Sequence, residues 1–158
     1  MPRSLELQTA IDRLHEAFGR YPASRDMCCT CYTPEEQEFF YATPVREIRG
    51  EKAHQLLCES YTHMWTTPEA YKYHVPCILE SLAPPDSLDD LYPIHLAQTL
   101  HHAGFADWPA NERGAVIDYL EIVTPLLGHS DEDLTEWLAG KDALATGTAP
   151  PVSRFYDT

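Results

Sequence analysis

Residues 4–18 read SLELQTAIDRLHEAF. Leu7, Ile11, Leu14 and Phe18 recur at i, i+4, i+7 and i+11, the spacing that lines one face of an α-helix. Glu6, Asp12, Arg13 and Glu16 fall elsewhere on the wheel. Ser4 is placed to cap this helix, and Pro22 ends it. A loop follows over residues 23–32, holding Cys28, Cys29 and Cys31.

The same punctuation repeats along the chain. Thr33-Pro34-Glu35-Glu36 predicts a helix start, with Thr33 as cap, Pro34 at the first helical position and Glu36 closing a capping box. That helix ends near Thr43-Pro44. Gly50 precedes a third, over about Glu51 to Trp65, with Ala53, Leu57, Tyr61 and Met64 on one stripe. Thr67-Pro68-Glu69 starts a fourth, which Pro76 should kink or split. A fifth runs from about Pro93 and stops at Gly104. Asp107-Trp108-Pro109 opens a sixth, with Val116, Leu120, Val123 and Leu127 inward and Glu112, Asp118 and Glu121 away from that stripe. Ser130-Asp131-Glu132-Asp133 opens a seventh, whose acids suit the positive end of a helix dipole and whose stop is read at Gly140. No segment alternates over strand length, and no repeat recurs. The fold class predicted is all-α: a compact bundle of about seven helices with short loops. Residues 1–142 form the single helical domain, and 143–158 form an extended or disordered C-terminal tail.

The net charge is -14 over 158 residues. Residues 78–158 hold 14 acids against three bases, whereas residues 1–77 hold 11 against eight. Such a field repels phosphate backbones and anionic membranes, so neither nucleic acid nor a membrane is an expected partner. A basic protein is attracted. The start of the chain has no apolar core of signal-peptide length, and no apolar run reaches the roughly 18 residues of a membrane span. The expected location is cytoplasmic, with the cysteines reduced.

Several chemistries are excluded by what the chain lacks. The seven glycines are too dispersed for a phosphate-cradling loop. His15-Glu16 is not followed by the second histidine of a metalloprotease helix, and no serine sits in a nucleophile elbow. The acids of residues 131–136 lack the glycine and distal Glu of a calcium loop.

The chemical signal that remains is Cys28-Cys29-Thr30-Cys31. Cys28 and Cys31 form a C-x-x-C pair, whose sulfurs can converge on one tetrahedral metal ion. His54 and Cys58, four apart on the third helix, would supply the other two ligands of a zinc site. The competing reading is that these are small buried cysteines and a half-exposed histidine. A redox dithiol lacks the strand-then-helix context it needs. His95, His101 and His102 read as a solvated face. In Tyr71-Lys72-Tyr73-His74, four consecutive residues point all round a helix, so Tyr71, Tyr73 and His74 are the candidate contact surface.

The C-x-x-C loop followed by Thr33-Pro34-Glu35-Glu36 resembles the opening of an uncharacterised family of bacterial proteins. The stretch with Trp65, Tyr71, Tyr73-His74, Pro76 and Ile78-Leu79-Glu80 is similar to the same family, as are Trp108-Pro109, Glu112 and Ala115. The resemblance spans roughly residues 10–125. Cys77 stands where a basic residue is usual in that family, and no glycine follows Trp65. The resemblance implies a bacterial, intracellular, helical protein, and it supplies no catalytic residues.

Three functions follow as expectations. The first is a non-catalytic acidic protein-interaction module, regulatory or immunity-type, that binds another protein, a basic one by charge. The alternative is a small zinc-binding domain with a structural Cys/His site at Cys28, Cys31, His54 and Cys58. The third is an enzyme using a metal or a reactive thiol.

Overall fold

The chain is seen in a computed structural model, which describes residues 3–24, 32–57, 67–84, 96–127 and 131–151. The Ser4 side chain accepts a hydrogen bond from the Leu7 N–H at 3.2 Å and so starts α1, Leu5–Ala17. Thr33 and Glu36 exchange the two bonds of a capping box at the head of α2, Pro34–Ala42. A helical turn at Val45–Glu47 leads to Gly50 and then α3, Glu51–Leu57. Thr67 caps α4, Pro68–Glu80, through the Ala70 N–H.

The second half continues in the same way. The α5 helix, Leu96–His102, ends where Gly104 takes φ +87°, a left-handed conformation that favours glycine. The α6 helix, Ala110–Val123, tightens into a single turn at Thr124–Leu126 around Pro125. The last helix is α7, Asp131–Thr146. Among the described residues there are seven α-helices and no strand. The protein is therefore an all-α bundle. None of the described helices is long and apolar enough to cross a membrane.

Two readings of the helix breakers are corrected. Pro76 does not split α4, which runs unbroken to Glu80. Gly140 does not end α7. There the helix lies against α5, and a Cβ at position 140 would sit 2.8 Å from the Ala97 Cβ. Ordinary carbon contacts begin near 3.5 Å, so the glycine serves close approach rather than termination. Residues 143–146, expected in the tail, therefore belong to α7, with Ala143 and Leu144 buried. Beyond the helix, the Gln98 side-chain amide donates to the Pro150 and Pro151 carbonyls. Residues 152–158 lie outside the described residues, as do residues 58–66 at the end of the third predicted helix.

The α4 helix is the centre of the bundle, with every residue from Ala70 to Glu80 buried except Tyr73. The α1 helix packs beside it and against α6. Arg13 of α1 pairs with Asp118 of α6, and Arg20, just past α1, pairs with Glu112 at the start of α6. Rising numbers on one helix meet falling numbers on the other, so α1 and α6 are antiparallel. The Tyr119 hydroxyl donates to the Leu79 carbonyl and ties α6 to α4. Trp108 anchors one end of the core. Its ring meets Phe18 at 5.7 Å and Phe105 at 5.3 Å, and its N–H donates to the Ala103 carbonyl.

Candidate functional site

Of the four predicted zinc ligands, His54 alone is described. Cys28, Cys31 and Cys58 lie outside the described residues. His54 is buried on α3, with Nε2 3.1 Å from the Ser81 carbonyl oxygen. A carbonyl only accepts, so Nε2 carries the proton and Nδ1 presents a lone pair. That Nδ1 is buried and has no hydrogen-bond partner. Among the described residues, no three His, Cys, Asp or Glu side chains gather closely enough to hold a metal.

The predicted contact surface is not a surface at two of its three positions. Tyr71 and His74 are each 1% exposed, and Tyr73 is half-buried. The reason is the place of α4. A helix surrounded by other elements buries its whole circumference, so no ring on it need face out. Tyr71 packs against Trp108, and His74 sits between the Phe40 and Tyr73 rings. Burial brings the His74 imidazole down to about 4. Burial likewise raises the Tyr73 phenol. Cys77, also on α4, is fully enclosed, and burial together with the nearby Glu80 pushes its thiol well above the usual range. Enclosed and with its thiol form favoured, Cys77 is a poor nucleophile near neutral pH.

The polar chemistry of the described chain sits at two buried carboxylates that sequence reasoning missed. Glu80 ends α4. Its Oε1 accepts from His15 Nε2 at 2.9 Å, and its Oε2 accepts from Arg3 at 2.7 Å, with Arg49 at 3.4 Å. Arg3 also donates to the Pro84 carbonyl. Burial raises the Glu80 carboxyl, but the bonds from His15 and Arg3 and the charge of Arg49 outweigh it and bring it down to about 2.

Glu112, expected to point away from the core, is 0% exposed. It lies one turn before Val116, so the inward stripe of α6 extended backwards passes through it. Its Oε2 accepts from Tyr21 at 2.6 Å and Arg20 at 2.8 Å, and Oε1 faces Lys72 Nζ at 3.0 Å. The buried Lys72 ammonium also donates to the Tyr21 oxygen at 3.0 Å and lies over the Tyr21 and Trp108 rings at 5.0 and 4.7 Å. Burial raises the Glu112 carboxyl, but the bonds from Tyr21, Lys72 and Arg20 lower it further. Both carboxylates are enclosed, faced by cations and held ionised. They act as clamps between helices and are poor proton acceptors near neutral pH.

An open concavity among the described residues lies elsewhere, along the seam of α1 and α6. It measures about 750 Å³. Ala10, Ala115 and Ile122 form an apolar floor, and Leu5 stands at its mouth with 85% of its surface exposed. Glu6, Asp118 and Glu121 stand on the rim beside Thr9 and Arg13. Arg13 is tied to Asp118, and Glu121 accepts from Lys141 at 2.8 Å. Asp118 and Glu121 were expected to face outward, and both are more than half exposed.

Comparisons of the chain with protein-family models, with curated proteins and with solved structures found no match.

Proposed function

We propose that this protein is a non-catalytic, acidic protein-interaction module, of regulatory or immunity type, acting on a basic partner in the cytoplasm. One observation carries the reading. Four of the 11 cations, Arg3, Arg20, Arg49 and Lys72, converge on only two of the 25 acids, Glu80 and Glu112. Arg20 and Arg49 stay partly exposed beside those two clamps, so cations gather at these places and the surface away from them keeps the acidic excess. Asp118, Glu121, Asp131, Glu132 and Asp142 are all exposed on α6 and α7. A surface of this sign speeds encounter with a basic protein and turns away nucleic acid.

The test is capture of a partner from the source cell at low and at high salt. The expected result is a stoichiometric basic protein held at low salt and released at high salt. An Asp131→Lys, Asp142→Lys double variant should capture less of it. No salt-sensitive partner, or equal capture by the variant, overturns the reading.

His54 favours a second reading, the zinc-stapled domain. A metal-ligating histidine usually gives its other ring N–H to a carbonyl or carboxylate, which fixes the tautomer. His54 does this with Ser81 and leaves a buried lone pair on Nδ1. Sequence spacing names Cys28, Cys31 and Cys58 as the partners. The native mass of protein purified without chelator should then exceed the sequence mass by one zinc, lost on acidification. Cys28→Ser and Cys31→Ser should each lower the melting temperature. A bare mass and unchanged melts would retire this reading.

A further inference from the structure

We infer that the seam groove between α1 and α6 is the docking slot of the module, and that its occupant is an amphipathic, Lys/Arg-flanked helical segment of the basic partner. This deepens the proposed function and rests on it. The seam is formed by two antiparallel helices, so a third helix laid along it completes a three-helix layer. Alanines on the floor, Ala10 and Ala115, let a backbone come close. Leu5 offers an apolar contact that the fold itself leaves unused. From Leu5 to Arg13 the slot runs about 12 Å, at roughly 1.5 Å per residue, which matches two to three turns of a bound helix.

The charge on the rim selects the occupant. Glu6, Asp118 and Glu121 are three acids against two cations, Arg13 on Asp118 and Lys141 on Glu121, and Glu6 supplies the excess, with the net charge of -14 behind it. A cation on the incoming helix competes with Arg13 for Asp118. Arg13 therefore tunes affinity, and its removal should strengthen binding. A second copy of this chain is a poor occupant, because two bodies of net charge -14 repel.

The probe is a labelled synthetic peptide with leucine at helical spacing and lysine on the other face. A peptide of the same composition in scrambled order is the control. Binding is read by fluorescence anisotropy. Thr9→Trp, at an exposed rim position, fills the slot without touching the core. Leu5→Glu removes the apolar mouth. Each should weaken the amphipathic peptide by at least about tenfold. Arg13→Gln should bind it more tightly, and Glu35→Lys, on α2, should leave it nearly unchanged. If the scrambled peptide binds equally, or the groove variants bind like wild type, the slot is refuted while the acidic module stands. If neither peptide binds at low salt, both fall. A concentration-dependent dimer abolished by Thr9→Trp would make the occupant a second copy and overturn the inference.

Discussion

Glu112→Ala should destabilise the protein by about 3–5 kcal/mol, because it leaves Lys72 buried without its counter-charge. For a chain of this size each kcal/mol shifts the melting temperature by about 2–4 °C, so the fall should be about 6–20 °C. Arg20 is mostly exposed, and its guanidinium turns to water at little cost. Lys72 cannot, because Tyr21, Trp108 and the body of α4 enclose it. The effect should therefore be largely undone by removing both partners. A Glu112→Leu, Lys72→Met double variant should melt well above the single one, since an apolar pair of similar volume often replaces a buried ion pair without loss. Thermal melts of the two proteins beside the wild type decide the matter. A Glu112→Ala protein that melts like the wild type would show that this pair does not clamp α6 to α4.

Acid should unfold the protein in two successive steps of lost stability. His74 titrates at about 4 in the folded chain against an ordinary 6.5, and Glu80 at about 2 against 4.5. Both folded values are depressed. Each group thus contributes its full stability above its ordinary value and loses it as pH falls toward its folded value. For His74 the loss runs from 6.5 down to about 4, and for Glu80 from 4.5 down to about 2. Each step amounts to about 3 kcal/mol. The lowered carboxyl of Glu112 adds to the second. Urea midpoints measured between neutrality and pH 3 should fall throughout. His74→Gln should flatten the first part of the curve, and Glu80→Gln the second. A wild-type midpoint unchanged between pH 7 and pH 4 would refute the burial assigned to His74.

The helices were legible in the sequence because their signals are local. Ser4, Thr33 and Thr67 cap the helices they were expected to cap, and Gly104 ends α5. Spacing within a helix says nothing of which helices adjoin. The partners of Glu80 and Glu112 lie 31 to 92 residues away, so no helix-length window of sequence contains either clamp. One sign was present, since Glu112 stands a turn before Val116 on the inward stripe. The apolar run Val75-Pro76-Cys77-Ile78-Leu79 likewise marks α4 as buried all round, which removes Tyr71 and His74 from the surface. Gly140 was misread because one residue type serves both as a helix stop and as a close-contact position. The seam groove depends on α1 lying beside α6, a pairing that only the folded chain displays.

That pairing sets a clock on biosynthesis. The Arg13–Asp118 contact joins residues 105 positions apart. A ribosome adds about 5–20 residues per second, so α1 leaves the exit tunnel about 5–20 s before α6 can receive it. Throughout that interval Leu7, Ile11 and Leu14 have no finished core to enter. The nascent chain must carry that apolar stripe uncovered until α6 arrives, which makes α1 a natural holding point for a chaperone.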